Sequence, residues 1–271
     1  MVEQSEKASR FLQLHKGERP LLLPNPWDAG SAVLLGSLGF EALATTSSGS
    51  AATLGKLDGE LDREQVLSHA ATIVAASELP ISADLENCFA TDVSGVGETV
   101  RLALEVGLAG CSIEDYSGDD DAPIYELREA AERVAAAAEA AHGSTGRLVL
   151  TARAENYLHG RPDLADTIAR LQAYEQAGAD VLYAPGLIEL ADIRSVVESV
   201  GLPVNVLARA GAPSVGELAS VGVARVSVGG AFAFAALGAA VAAAEELRDS
   251  GTYGFWEHAK VGVKAARAAF G

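Results

Sequence analysis

The chain has 271 residues, and 20 Lys and Arg against 37 Asp and Glu leave a formal charge of −17, with 49% hydrophobic residues. That composition is globular and long enough for one large α/β barrel or two average domains. The acidic excess argues against a nucleic-acid backbone or an anionic membrane as partner, because both need clustered Lys and Arg.

No apolar run approaches the roughly 18 residues that span a bilayer, and Met1–Arg10 is polar and mixed in charge, unlike a signal peptide. Cys88 and Cys111 are too few for a disulfide scaffold, and paired-cysteine zinc spacings are absent. The expectation is a soluble, cytoplasmic enzyme or binding protein for a small molecule.

One phrase recurs along the chain. An amphipathic stretch ends in Gly and a short apolar run follows, at Ser37–Phe40, Glu105–Leu108, Gln176–Ala179 and Ser220–Val223. Gly suits the residue just past a helix end, and the apolar run reads as a strand buried on both faces. In chain order the runs predict strands near Leu21–Pro24, Ala42–Thr46, Ile81–Leu85, Gly110–Glu114, Leu148–Arg153, Val181–Ala184, Val204–Leu207 and Arg225–Val228. Helical periodicity lies between them, for example at Asp62–Ala76, Glu98–Val106, Tyr125–Ala141, Asp163–Ala177 and Ala191–Val200. Eight such units without a composition break predict a single (β/α)8 TIM barrel over 1–271. A doubly wound sheet is the rival, weakened by the lack of Gly-x-Gly-x-x-Gly after the first strand. A helical extension is expected at about 231–271, ending in an aromatic helix near Tyr253–Ala269 that packs on its own barrel or a neighbouring subunit.

In a barrel the chemistry belongs at the carboxyl ends of the strands. Those ends carry Asn25 and Asp28, Thr45–Gly49, Asp84 and Glu86, Glu114 and Asp115, Arg153, Glu155 and Asn156, with Asn205 on the seventh strand and Gly229-Gly230 after the eighth. Asp84 and Glu86, two apart on a strand, should point the same way, with Glu114 alongside. Carboxylates packed so closely would repel, and hard oxygen donors favour Mg²⁺ or Mn²⁺ over Zn²⁺; the competing reading is that they are solvated loop acids. Arg153 either pairs with one of these acids or binds a substrate carboxylate bidentately. The hydroxyls and amides of Thr45–Gly49 suit an anionic head group, unless the segment is an ordinary loop.

The only lysines are Lys7, Lys16, Lys56, Lys260 and Lys264, none on strands three to eight, which argues against a Schiff-base aldolase. No Gly-x-Ser-x-Gly elbow or Walker loop is present. Cys111 reads as core filler, and Cys88 as core or site-facing.

The stretches PNPWDAGSAVLLGSLGFEALATTSSG (24–49), LGKLDGE (54–60), ADLENCFA (83–90), SIEDYSG (112–118), LTARAEN (150–156) and PVNVLA (203–208) together resemble the phosphoenolpyruvate mutase/isocitrate lyase superfamily, its phosphonomutase-like subgroup above all. The resemblance covers almost the whole chain. It implies a TIM barrel with a last helix swapped between subunits of a homodimer or homotetramer. It also implies Mg²⁺ and a 2-keto or 2-hydroxy acid that passes through an enolate-like state. By position, Asp84 matches the direct metal ligand, Glu86 a second acid, and Glu114 and Asp58 the rest of the metal shell. Thr46, Ser47, Ser48 and Arg153 match the grip on the substrate carboxylate, Asn205 a polar residue of strand seven, and Trp27 and Asp28 the pocket floor.

Two departures bear on the reaction. Tyr116–Asp121 lacks the Cys and Lys that lyases carry after strand four, and its aspartates would repel a phosphonate. Tyr183–Gly186 lacks the Glu or His usual after strand six. The expected function is therefore a Mg²⁺-dependent lyase or hydrolase that cleaves a C–C bond next to the keto or hydroxyl group of a small acid. The alternatives are a C–P bond enzyme, or a protein that binds Mg²⁺ and a keto acid without turnover. Glu155, Tyr116 and His159 are the acid/base candidates, and Tyr116–Ile124 is a candidate lid.

Overall fold

In the computed structural model, which describes residues 2–119, 121–143 and 146–271, eight parallel strands alternate with helices in a (β/α)8 barrel. The strands are β1 (Leu21–Leu23), β2 (Leu43–Ala44), β3 (Ile81–Asp84), β4 (Gly110–Glu114), β5 (Val149–Arg153), β6 (Val181–Tyr183), β7 (Val204–Leu207) and β8 (Arg225–Ser227). Ladders join neighbours from β2 through to β8 and then β8 to β1. Between β1 and β2 the closure is made by single bonds: Ala44 N–H donates to the Pro24 carbonyl at 3.1 Å, and Asn25 Nδ2 to the Thr45 carbonyl at 2.8 Å.

The strands are short and mostly buried, as strands covered on both faces must be, with polar residues among the apolar ones in β3, β4, β5, β7 and β8. A large core lies between the sheet and its helices, and a second, smaller one links Ala8 and Phe11 to Leu21, Leu23, Ala44, Val149 and Val181. In that second core α1 (Val2–Leu14) seats Phe11 against Gly110. A Cβ at Gly110 would come 2.9 Å from the Phe11 ring and 2.7 Å from the Val149 carbonyl, so only glycine fits there.

After β1 comes α2 (Ala29–Ser37); after β2 come α3 (Ser47–Thr53) and α4 (Arg63–Ala75). Then α5 (Val93–Glu105), α6 (Leu127–Ala141), α7 (Leu164–Gln176), α8 (Leu190–Ser199) and α9 (Val215–Ser220) follow β3 to β7 in turn. Most start on a side-chain cap: Asp28, Asp62, Asp92, Asp163 and Ser214 each accept a backbone N–H of the first turn. The expected strands and helices are present with ends shifted by one to three residues. Two larger differences are α5, which starts at Val93 because the Asp92 cap outweighs the helix-weakening Gly95 and Gly97, and α3. Its start at Ser47, capped by Thr46, takes the place of the loop expected over Thr45–Gly49.

After β8, α10 (Ala231–Glu245) runs into a π-helical turn (Glu246–Ser250) and then α11 (Trp256–Phe270), which packs on α2. These helices expose Phe232, Phe234, Leu237, Val241, Trp256, Val261 and Phe270. Among the described residues no helix is long and apolar enough to cross a membrane.

Candidate active site

A cavity of about 180 Å³ opens at the carboxyl ends of the strands. It is small beside the roughly 300–1,000 Å³ of sites for drug-sized ligands, so it suits a small acid. Thr46, Ser47, Ser48, Asp58, Asp84, Arg153 and Asn205, all expected at the site, line it. So do Asn25 and Gly230, read from the sequence as strand-end residues, and Ser82, Ser112, Tyr183, Arg225 and Ser227, which were not expected there.

Arg153 sits at the centre of the acidic side. Its Nη1 donates to Asp84 Oδ1 at 2.8 Å and lies 3.2 Å from Glu114 Oε2, while its Nε donates to Glu155 Oε1 at 2.8 Å. Three carboxylates hold its pKa well above the usual value despite burial. Of the two readings open for Arg153, the ion pair with the site acids is the one formed. Asp84 further accepts from the Ser112 hydroxyl at 3.2 Å and from Ser47 N–H at 3.5 Å, and its own N–H donates to Thr45 Oγ1.

Asp84 and Glu86 do not share a strand face. β3 ends at Asp84, and Glu86 has φ 48°, a left-handed turn that breaks the two-residue alternation. Cys88 and Phe89 are also left-handed, and Cys88 is turned fully into the core, its thiol pushed up by burial, so it does not face the site. Glu86 nonetheless stays in the acidic field: burial, then Asp84 and Asp58, push its carboxyl up to about 8. Asp58, at the solvent-facing mouth, is raised by desolvation and Asp84, against a hydrogen bond from Ser47. Glu114 is raised well above normal, chiefly by burial.

Among the described residues no three His, Cys, Asp or Glu side chains close into a cage around one point. The guanidinium of Arg153 stands between Asp84 and Glu114, so the four expected ligands do not converge by themselves. The donor set still suits a hard cation: oxygen donors only, with burial and the neighbouring Asp84 carboxylate raising the proton affinity of Asp58 and Glu86.

Glu155 is 2% exposed, and burial, only partly opposed by Arg153, raises it to about 7. Tyr116 and His159 stack on each other with centroids 3.8 Å apart. None of these three lines the cavity. The expected lid is a tied hairpin: Tyr116 bridges Ile124, and Ser117 N–H donates to the Pro123 carbonyl at 2.8 Å. Of its aspartates, Asp120 lies outside the described residues.

Trp27 and Asp28 do not form the pocket floor. Asp28 caps α2 in a capping box with Ser31, and the Trp27 carbonyl is bonded to His69 Nε2 at 2.8 Å. Four successive neighbours on one rung of the sheet, Arg153, Tyr183, Asn205 and Arg225, line the cavity instead. Tyr183, pushed up to about 12 by burial, keeps its proton at neutral pH. Asn205 Nδ2 donates to Ser227 Oγ at 3.0 Å and its Oδ1 accepts from Arg225 Nε at 2.9 Å. Arg225 carried a signal in the sequence, the one charged residue of a buried strand, but stands at the strand's start and not its end.

A family model described as phosphoenolpyruvate phosphomutase matches residues 11–248. A candidate lyase/mutase from Burkholderia cenocepacia J2315 is 52% identical in sequence, with a TM-score of 0.92 over 95% of this chain and 93% of its own. The 2-methylisocitrate lyase of Escherichia coli K12 is 30% identical over 195 residues, 69% of this chain and 64% of the relative. The oxaloacetate decarboxylase of Paraburkholderia xenovorans LB400 is 30% identical over 212 residues, 75% of this chain and 68% of the relative.

Proposed function

The chain belongs to the phosphoenolpyruvate phosphomutase family, and from that premise we propose that it is a carbon–carbon lyase. Its substrate is a small 2-keto or 2-hydroxy acid, cleaved next to the oxygen-bearing carbon, as in decarboxylation of oxaloacetate or retro-aldol cleavage. The observation that carries the reading is the cavity itself: acids Asp58 and Asp84 on one wall, the Thr46–Ser48 hydroxyls beside them, and Arg153 between. The lyase and decarboxylase names of the two 30% identical relatives support C–C chemistry.

Asp84 and Asp58, with Glu86 and Glu114 behind them, are the residues that would hold Mg²⁺ or Mn²⁺. When bound, the cation supplies Lewis-acid stabilisation of the oxygen on which negative charge develops. The chain's own groups do the rest. Arg153 and the Ser47 and Ser48 hydroxyls hold the carboxylate next to the reacting carbon, with Arg153 exchanging an acid partner for the substrate. Tyr183, protonated at neutral pH, offers a hydrogen bond from the cavity wall to substrate oxygen. In decarboxylation of oxaloacetate the electron pair of the breaking C3–C4 bond passes to the C2 carbonyl oxygen as CO2 leaves, and the resulting enolate takes a proton from water. In retro-aldol cleavage the 2-hydroxyl gives up its proton to become the new carbonyl while the bonding pair goes to the departing fragment, which is then protonated by water. Preorganised donors around the oxygen that gains charge lower the barrier. Ser82, Ser112 and Asn205 keep the cavity polar without adding charge.

The experiment is to mix the protein with Mg²⁺ and oxaloacetate and follow loss of the keto/enol absorbance, with a small panel of 2-hydroxy acids beside it. Absence of turnover over the whole panel, with binding intact, would leave a non-catalytic keto-acid binder. The family description favours a second reading, C–P chemistry on phosphonopyruvate, for which phosphorus NMR is the direct assay. The aspartates Asp119 and Asp121 of the Tyr116–Ile124 hairpin oppose a second phosphonate charge.

The apolar side chains exposed on α10 and α11 support a homo-oligomer in which a second copy covers them. The free, buried thiols of Cys88 and Cys111 agree with a reducing cytoplasm.

A further inference from the structure

The cavity holds two arginines in opposite electrostatic circumstances. Arg153 is neutralised several times over by Asp84, Glu114 and Glu155. Arg225, three strands away on the same rung, forms no ion pair among the described residues. It is 4% exposed, and its hydrogen-bond partners among the described residues are all neutral: Nε donates to Asn205 Oδ1 at 2.9 Å, and Nη1 to His15 Nε2 and Thr151 Oγ1, both at 3.2 Å.

The neutrality of His15 follows from its bonds. Its Nδ1 lies 2.8 Å from the Phe11 carbonyl, which can only accept, so Nδ1 carries the proton and Nε2 offers a lone pair to Arg225. Burial and the Arg225 charge hold that imidazole down to about 3, so it brings no charge of its own. Asn205 is fixed in turn by Ser227, so Nε and Nη1 of Arg225 are both held. Nη2 is left with no partner among the described residues, on a side chain that lines the cavity.

A buried guanidinium with no counter-charge is costly, and a fixed one offers a fork to an oxyanion. We propose that Arg225 is a specificity-determining residue that binds a second anionic group of the substrate, a carboxylate distal to the one held at Thr46–Ser48, through Nη2. This inference rests on the proposed reading that the cavity takes a small 2-keto or 2-hydroxy acid. It adds that the acid is dianionic and that His15, Thr151 and Asn205 position the arginine that selects it. The acidic wall around Asp84 would repel that second charge, so the two walls together fix which way round the acid lies.

The test is calorimetric titration of the full chain, in Mg²⁺ buffer, with (S)-malate and (S)-lactate, which share a 2-hydroxy acid head and differ by one carboxylate. The wild type should bind malate at least about tenfold more tightly than lactate. Arg225→Met should abolish that preference by weakening malate alone, and Arg225→Lys should keep part of it. A wild type that binds the two acids equally overturns the assignment of Arg225 and leaves the acid-binding reading standing. A wild type that binds neither overturns both. A folded Arg225→Met that keeps the preference also overturns the proposal. Should Arg225→Met fail to fold, the wild-type crystal soaked with malate decides. One carboxylate within hydrogen-bond distance of Nη2 supports the proposal, and both carboxylates on the Thr46–Ser48 and Arg153 side defeat it.

Discussion

Arg153 reaches across β4 to bond Asp84: Nη1 on β5 lies 2.8 Å from Oδ1 on β3, although β4 separates the two strands in the sheet. Alternate strands of an eight-stranded barrel fill the same interior layer, which brings these two side chains together. The pair makes Asp84 the joint between the arginine and the proposed cation shell. Asp84→Ala should therefore lower Mg²⁺-dependent turnover of oxaloacetate by about 10² or more. Arg153 keeps Glu114 and Glu155, so the variant should still fold, with an unfolding midpoint within a few degrees of the parent. A variant as active as the parent at every Mg²⁺ concentration would contradict the metal assignment.

The raised carboxyl of Glu86 has a definite pH signature. Its folded value is about 8 against 4.5 for the free group. Below pH 4.5 both states hold the proton. Between 4.5 and 8 the unfolded chain has released it and the folded chain has not, so stability falls as pH rises through that window. With EDTA present, the difference in unfolding free energy between wild type and Glu86→Gln should shift steadily against the wild type from pH 4.5 to 8. Mg²⁺ should reduce the slope by favouring the carboxylate. Parallel curves for the two proteins in EDTA would refute this account.

Asp115, next to the site acids, has a different task. It is 2% exposed and accepts from Arg170 Nη1 at 3.1 Å, Tyr174 OH at 2.6 Å and the Glu155 N–H at 2.7 Å. Asp115→Ala leaves a buried guanidinium and a phenol without their acceptor and should cost about 3–5 kcal/mol in urea unfolding. Tyr174→Phe removes one hydrogen bond and should cost about 1 kcal/mol.

Gly230 presses on Ser48. A Cβ at 230 would lie 2.7 Å from Phe234 Cε2 and closer still to Ser48 Oγ. Gly230→Ala should displace the Ser48 hydroxyl and raise KM for the acid about tenfold, with kcat changed less and a stability loss of about 1–3 kcal/mol from overpacking. Steady-state kinetics with a urea melt separates the two effects.

The barrel was legible because every buried strand is an apolar run set off by a helix-ending glycine such as Gly107 or Gly178. Asp84, Arg153 and Asn205 were legible for a related reason, as polar residues in or just ending runs that have no other use for them. Glu86 was placed in the right field by the wrong geometry, since nothing in Asp84-Leu85-Glu86 announces a left-handed turn for a non-glycine residue. Trp27 and Asp28 resembled pocket residues, yet Asp28 with Ser31 three residues on is also the pattern of a helix cap, and the cap is what forms. Arg225 escaped notice because rules about strand ends overlook a strand's first residue, while a side chain as long as arginine's reaches the cavity from there.

Asn25 has a mechanical consequence for the whole molecule. Its Oδ1 accepts from the N–H groups of Val228 and Gly229, both at 3.0 Å, and its Nδ2 bonds the Thr45 carbonyl, so one amide laces the β8 end to the β2 end at the seam that has no continuous ladder. Elsewhere the cylinder is stitched by rows of backbone hydrogen bonds; here it hangs on this clasp and the single Ala44 N–H to Pro24 carbonyl bond. Breathing motions and amide exchange therefore concentrate along that line, beside the mouth of the cavity, and the remainder of the cylinder need not loosen for the mouth to widen.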